Sequence, residues 1–202
     1  MLFRSVSGGI IILLSIAIRL KKKADEAALA IAGLTLLLSL SRHIPNMLNS
    51  WLNALKAFAM FGGTLIIAAS FNPKYLKAFL WTGCITLGIF FIVCGYAHIK
   101  FYDFVTGFIP AYIPFHGFFA YFTAMCLFAG GVGILIPVTR KWAALLSGLM
   151  VAGWFFLLHI PRFFMNPDDM SDRLGLAESL AFAGIFFVLA SLTDSKSKQD
   201  AV

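Results

Sequence analysis

The stretch Leu158-His159-Ile160-Pro161 has a counterpart in His43-Ile44-Pro45, 116 residues earlier in the chain (159 − 43). Each copy closes a long apolar run and is followed by a short polar stretch and a further apolar run. Each is also preceded by a glycine pair within an apolar run, Gly8-Gly9 and Gly130-Gly131. A long-period repeat of this kind indicates a duplicated structural unit.

The composition places the chain in a membrane. It is 60% hydrophobic and only 12% charged, and its mean hydropathy is +0.90. Soluble domains are about half apolar and about a quarter charged. Lipid offers no hydrogen-bond partner to the backbone, so spans without strand-like alternation must be helices. We therefore predict an all-α integral membrane protein.

Seven apolar runs approach or reach the length of about 20 residues that a bilayer-spanning helix needs. The first of them is short and is followed by three lysines rather than a cleavage site, so we interpret it as an uncleaved span. The predicted transmembrane helices are Val6–Leu20, Ala24–Ile44, Leu52–Phe71, Leu76–Ile99, Phe115–Pro137, Trp142–Ile160 and Leu174–Leu192.

The basic residues predict the orientation of these helices. Of the 16 lysines and arginines, ten fall on the side of the membrane that carries the C-terminus and six on the other side. The positive-inside rule then gives a multi-pass protein of the cell membrane with its N-terminus outside and its C-terminus in the cytoplasm. The net charge is +7, and the basic residues that give it lie between apolar runs. We therefore expect contact with the lipid bilayer and no nucleic-acid partner.

The repeat predicts how the helices are related. It pairs helix 1 with 5, helix 2 with 6 and helix 3 with 7, an even shift that gives a tandem parallel repeat rather than an inverted one. Helix 4 has no partner in the first copy, so the first four-helix unit is incomplete. The predicted domains are residues 1–73 (three helices), residues 74–193 (four helices) and a disordered cytoplasmic tail, residues 194–202.

The connection after helix 4 is rich in aromatic residues and carries Pro110 and Pro114. Two prolines four residues apart forbid a helix through that stretch and favour a rigid extended turn. We expect it to cap the bundle or to re-enter the membrane interface, where Tyr102, Tyr112 and Tyr121 suit an aromatic belt.

This connection and the His-Ile-Pro stretches resemble the DoxX-like family of small four-helix membrane proteins. The family's Gly-x-x-His and Pro-x-aromatic-aliphatic-Pro-x-His patterns match Gly95, His98, Pro110, Tyr112, Ile113, Pro114, His116, Phe118, Phe119, Ala120, Tyr121, Phe122 and Thr123. Its later patterns match His43-Ile44-Pro45 with Trp51, Asn53, Lys56, Ala59, Gly62 and Gly63, and His159-Ile160-Pro161 with Glu178, Ala181 and Gly184. The resemblance covers nearly the whole chain.

The resemblance implies a membrane component rather than a defined reaction. Some relatives are linked to a thiosulfate:quinone oxidoreductase or to membrane redox complexes, which makes quinone a possible cofactor and a redox protein a possible partner. Here Ile99 and Ala124 replace expected Phe and Gly residues, and no acid precedes Gly130-Gly131. The redox link is weakened by these departures.

Four histidines, His43, His98, His116 and His159, are predicted near the outer surface. Together with Tyr102 and Tyr112 they are the candidate ligand-binding or proton-relay residues, because imidazole titrates near neutral pH. No metal-binding motif accompanies them. The alternative is structural: His43 and His159 would hydrogen-bond carbonyl groups freed by the prolines that follow, closing helices 2 and 6.

Lys56 and Glu178 occupy equivalent places near the outer ends of helices 3 and 7. Ionisable residues inside a membrane are a functional hypothesis by default, and a pseudo-twofold bundle would place these two across its axis as a charge pair. Near the interface, Lys56 has the alternative of extending to the lipid headgroups.

Three functional classes follow from these features. The first is a non-enzymatic membrane component that binds a hydrophobic small molecule or scaffolds a partner. The second is a membrane subunit of a quinone-linked oxidoreductase, using His98 or His116. A transporter ranks last, since the mid-membrane polar residues are only Thr35, Thr64, Thr86 and Ser147. We favour the first and expect the chain not to be an enzyme by itself.

The charge pair is tested by exchanging its charges. We expect Lys56→Glu and Glu178→Lys each to impair folding, and the double exchange to restore it, because only the double variant keeps opposite charges together. Yield of monodisperse protein in mild detergent is the measurement. Equal behaviour of the single and double variants would show that the two residues do not interact.

Overall fold

The computed structural model describes residues 2–20, 23–43 and 50–199, with the side chains of residues 2–7, 42–43 and 194–199 left out. Helices joined by short connections make up these ranges, which contain no β-strand. The helices are α1 (Leu2–Arg19), α2 (Ala24–His43), α3 (Trp51–Phe71), α4 (Leu76–Lys100), α5 (Tyr102–Phe108), α6 (His116–Leu135), α7 (Arg140–Trp154), α8 (Ile160–Met165) and α9 (Met170–Gln199). A 3₁₀ turn, Pro73–Tyr75, precedes α4, and a π-helical turn, Phe155–His159, joins α7 to α8.

Six stretches of the described residues are long and apolar enough to cross a membrane. They are Ala24–Ser41, Trp51–Phe71, Pro73–Lys100, His116–Leu135, Arg140–Met165 and Met170–Thr193. They bear out the prediction of a multi-pass helical membrane protein. The apolar part of α1 that these residues include, Gly8–Arg19, is shorter, and the seventh span remains a prediction.

The chain divides into two compact units, Met1–Leu87 and Gly88–Val202. The boundary lies inside α4, whereas the predicted repeat divides the chain before that helix, at residue 73. The duplication itself remains a prediction. Each unit is described below by itself.

The first unit is built on close contacts between helix backbones. Gly62 of α3 and Gly83 of α4 meet so tightly that a Cβ atom on Gly83 would lie 2.6 Å from the carbonyl oxygen of Gly62. Small residues let transmembrane helices approach in this way. At the end of α3, the Asn72 side-chain amide donates a hydrogen bond of 2.8 Å to Asp25 Oδ2 at the start of α2, which ties the two helices together.

The second unit has an aromatic core between α4 and α9. Phe90 stacks on Phe182, with ring centroids 5.3 Å apart, and Phe91 meets the fully buried Phe186 edge to face at 4.6 Å. A Cβ atom on Gly131 of α6 would lie 2.6 Å from the carbonyl oxygen of Gly88. Glycine at this position therefore lets α4 and α6 approach closely.

Three details of the helices differ from the predictions. The helical path does not end before Pro161 but passes through the π turn and α8 to Met165. The connection after α4 contains a short helix, α5, before the stretch between α5 and α6 that carries Pro110 and Pro114, here called the proline segment. Helix α9 continues to Gln199, into the stretch from Asp194 that was expected to be disordered.

Alanine substitutions at two glycines of the first unit test the backbone contact. We expect Gly83→Ala to lower the free energy of unfolding by about 1–3 kcal/mol, since its Cβ atom must displace the α3 backbone. Gly33→Ala is the matched control, because a Cβ atom there has nothing within 4 Å. The control should be neutral or stabilising by up to about 1 kcal/mol. Thermal unfolding followed by circular dichroism in one detergent is the measurement; equal melting of both variants would argue against the contact.

Candidate ligand-binding cavity

The second unit encloses a cavity of about 490 Å³. Its wall is formed by α4, α5, α6, α7, the π turn and the proline segment after α5. Most of the lining side chains are apolar or aromatic, and two are histidines. The lining residues are His98, Phe104, Val105, Phe108, Ile109, Ile113, Phe119, Phe122, Thr123, Met150, Gly153, Trp154, Leu157, Leu158 and His159.

His98 lies at the end of α4 and is half-buried. Its Nδ1 atom is 2.8 Å from the carbonyl oxygen of Cys94, one turn earlier in the helix. A carbonyl oxygen can only accept a hydrogen bond, so the Nδ1 atom of the neutral ring carries the hydrogen and Nε2 is left as an acceptor. The ring stacks on Trp154 with centroids 6.2 Å apart, which holds its orientation.

His159 ends the π turn on the same cavity. Its Nδ1 atom is buried and has no hydrogen-bond partner among the residues that the structure describes. The Nδ1–Cε1 edge faces Gly175 of α9 so closely that a Cβ atom there would lie 2.7 Å from Nδ1. Phe108 packs edge-on against the ring with centroids 6.3 Å apart. His98 and His159 therefore line one pocket with their rings held by neighbouring side chains.

Tyr112 closes the helical defect created by Pro161. Proline has no backbone N–H, so Pro161 cannot donate to the carbonyl of Leu157, four residues earlier. The Tyr112 hydroxyl donates to that carbonyl instead. This hydrogen bond overturns the expectation that His159 would satisfy the freed carbonyl, and it holds the proline segment against the π turn.

The proline segment has a defined backbone. The N–H of Ile113 donates a hydrogen bond of 3.0 Å to the carbonyl of Pro110 and makes a turn. Phe115, at the start of α6, adopts a left-handed conformation with φ 56° and ψ 48°, which costs a bulky residue on the order of 1–3 kcal/mol. Ile113 of this segment lines the cavity.

Arg162 fastens the other side of the cavity. Its Nε atom donates a hydrogen bond of 2.7 Å to Oδ1 of Asp172, whose side chain is only 1% exposed. Its guanidinium carbon lies 3.7 Å from the ring centroid of Phe108, and Nη1 donates to the Phe108 carbonyl at 3.4 Å. Asn166 donates a further hydrogen bond of 3.2 Å to Asp172 Oδ2. Arg162 thus connects α9 to the end of α5 and to a lining residue.

Asp169 fixes the position of Asp172. Its Oδ1 atom accepts hydrogen bonds from the backbone N–H groups of Asp172 at 3.1 Å and of Ser171 at 2.7 Å, which caps the start of α9. These two hydrogen bonds hold the pKa of the Asp169 carboxyl below its usual value. The cap is therefore present at neutral pH and weakens only as the carboxyl becomes protonated in acid.

The remaining predicted site residues lie elsewhere. Among the described residues, His116 begins α6 without lining the cavity. Tyr102 stacks on Tyr121 at 5.2 Å and sets its hydroxyl against Gly117. His43 ends α2 in the first unit, but its side chain and the whole of Ile44-Pro45 are outside the described residues.

The charge-pair candidates are in different units. Lys56 belongs to α3 in the first unit, and Glu178 belongs to α9 in the second. Their pairing remains a prediction.

Three residues of the site were not singled out from the sequence. Trp154 was one aromatic residue among many in an apolar run, and nothing in a single sequence marks it as the partner of His98. For Arg162 and Asp172 the sequence does carry a signal, because charged residues in or beside membrane spans are expected to be paired. Their separation of ten residues matches no local helical pairing pattern. The two residues meet only because the chain turns between α8 and α9.

Comparison with known proteins gives no relative: no family model, no curated protein and no solved structure matches the chain.

The Tyr112 hydrogen bond is tested by a double-mutant cycle with Pro161. We expect Tyr112→Phe to lower the free energy of unfolding by about 1–3 kcal/mol, because the Leu157 carbonyl, which lies in an apolar span, loses the hydroxyl that donates to it. In a Pro161→Ala background the cost should fall toward zero, since the substituted alanine supplies a backbone N–H for the Leu157 carbonyl. Thermal unfolding in detergent gives the four stabilities.

Tyr121→Phe is the matched control for this cycle, because it removes the hydroxyl of another exposed tyrosine that stacks on Tyr102. We expect it to be close to neutral. If Tyr112→Phe costs the same with and without Pro161, the hydroxyl does not compensate for the proline.

Proposed function

We propose that this protein is a multi-pass membrane protein, not an enzyme by itself, whose second unit binds a hydrophobic small molecule. The observation that carries the proposal is the cavity of about 490 Å³, lined by apolar and aromatic side chains with His98 and His159 among them. Ligand pockets typically measure about 300–1,000 Å³ and combine an apolar wall with a few polar groups that orient the ligand. The alternative role for such a non-enzymatic membrane component is to scaffold a partner protein.

Membership of the DoxX-like family is part of the proposal. Five of the thirteen matched residues between Gly95 and Thr123 line the cavity wall: His98, Ile113, Phe119, Phe122 and Thr123. Tyr112, from the same motif, holds the proline segment in place. Motif residues that line a pocket support a role in ligand binding better than motif residues that only face lipid would.

A membrane subunit of a quinone-linked oxidoreductase is the second candidate. The observation in its favour is that two histidines line one apolar cavity. The reduced form of a quinone, a quinol, has an apolar body and hydroxyl groups, one of which can donate to the acceptor Nε2 of His98. In this version a redox partner protein would exchange electrons with the bound quinone. His98 replaces His116 as the leading residue, because His116 does not line the cavity within the described residues.

The finer topology is also a proposal. A seventh span at α1, the tandem parallel repeat and an outside N-terminus with a cytoplasmic C-terminus are supported by the apolar runs, the two His-Ile-Pro stretches and the distribution of basic residues. In this orientation the proline segment and the two lining histidines, His98 and His159, would lie toward the outer side of the cell membrane.

Filling the cavity tests the proposal. Gly153 lines the cavity, and a Cβ atom on it has nothing within 4 Å, so Gly153→Leu extends into free space. We expect the variant to keep its melting temperature and to lose a molecule that copurifies with the unaltered protein. Purification in mild detergent, organic extraction and mass spectrometry of the extract are the measurements.

Gly33→Leu is the control, because position 33 also has nothing within 4 Å but belongs to the first unit. It should retain the copurifying molecule. A quinone in the extract that disappears with Gly153→Leu would favour the redox subunit. An extract of bulk lipid alone from all three proteins would count against a small-molecule ligand and leave the scaffold role.

A further inference from the structure

We propose that the cavity selects an apolar molecule bearing a hydroxyl group, an alcohol or a phenol, whose O–H donates to Nε2 of His98 and whose oxygen accepts from Nε2 of His159. The inference rests on the proposed function, because it names the class of ligand that the cavity of the second unit takes. It follows from the hydrogen-bonding state that the fold imposes on each ring.

His98 is an acceptor toward the cavity. Its Nδ1–H is used by the Cys94 carbonyl at 2.8 Å, so its remaining nitrogen has a lone pair and no hydrogen. Stacking on Trp154 keeps the ring from turning that nitrogen away. A ligand that can only accept hydrogen bonds gains nothing from this group, whereas a ligand that donates does.

His159 is a donor. Its buried Nδ1 has no partner among the described residues and lies where a Cβ atom on Gly175 would be 2.7 Å away. Buried N–H groups without an acceptor are rarer than unsatisfied acceptors, so the hydrogen of the neutral ring belongs on Nε2. The two histidines thus offer opposite hydrogen-bonding characters to one cavity.

A hydroxyl group matches both characters at once. It donates one hydrogen bond and accepts others, so the same chemical group suits the acceptor of His98 and the donor of His159. A ketone or an ether only accepts, which leaves Nε2 of His98 unpaired when the ligand displaces water. A carboxylate or an ammonium group would lose its hydration against a mostly apolar wall. Among these classes, the hydroxylated apolar molecule is the one that satisfies the cavity.

Thr123 does not change this conclusion. Its hydroxyl donates within α6, to the carbonyl of Phe119 at 2.7 Å and to that of Ala120 at 3.1 Å. Its hydrogen is therefore already used, and toward the cavity it can add only an acceptor. A ligand hydroxyl is again favoured over a ligand carbonyl.

Two matched probes test the proposal, 6-bromo-2-naphthol and its methyl ether, 6-bromo-2-methoxynaphthalene. The pair differs in the O–H group, and the bromine quenches the fluorescence of a nearby tryptophan, here Trp154 in the cavity wall. We expect the naphthol to bind the detergent-solubilised protein about tenfold more tightly than the ether, the value of one hydrogen bond. Titration of the quenching against detergent-only blanks gives both affinities.

His98→Asn should abolish the preference. The asparagine amide can still donate to the Cys94 carbonyl, but the acceptor at the Nε2 position is gone. We expect the two probes to bind this variant with equal affinity, within about twofold. Trp154→Phe, which keeps an aromatic ring against His98, should lose the quenching and so show that the signal comes from the cavity.

The comparison on the unaltered protein decides the matter even if His98→Asn does not fold. Equal binding of both probes, with quenching that depends on Trp154, would overturn the hydroxyl preference and leave the hydrophobic-ligand proposal standing. Tighter binding of the ether would also overturn it. Binding of neither probe would contradict the proposed function as well as this inference.

Discussion

The second unit depends on one missing backbone hydrogen, that of Pro161. Inside an apolar span a carbonyl without a donor is costly, because lipid cannot replace the lost partner. The chain answers with the hydroxyl of Tyr112, which reaches the carbonyl of Leu157 from a different segment, and with a π turn that changes the course of the helix. π turns of this kind occur frequently at functional sites.

The same defect explains why a cavity lies here. The hydrogen bond from Tyr112 holds the proline segment beside the π turn, and the contact of Arg162 with Phe108 holds the end of α5. These segments are irregular or short, so they cannot pack as closely as two long helices joined at glycines do. The space that they leave is lined by side chains from both segments and from α4, α6 and α7.

The fold could be predicted from the sequence further than the site could. Apolar runs predicted the long helices to within a few residues except at the C-terminal end of α9, which continues to Gln199, because burial of the backbone in lipid admits only helices. Pro110 and Pro114 correctly predicted a break, but α5 before them did not stand out as a span-length run. At the site, His98 and His159 were predicted and share the cavity, whereas Trp154 and the pair of Arg162 with Asp172 depend on tertiary contacts that no local spacing encodes.

The roles of the two histidines follow from their neighbours rather than from their identity. His98 follows Cys94 by one turn, and the carbonyl of Cys94 captures its Nδ1 hydrogen. His159 precedes Pro161 in a sequence that suggested a structural task, yet that task falls to Tyr112, and the imidazole is left with a nitrogen that no described residue binds. Because Tyr112 satisfies the Leu157 carbonyl, His159 is not needed for that task, and its ring remains in the apolar cavity wall, where the ligand contact that we propose uses Nε2.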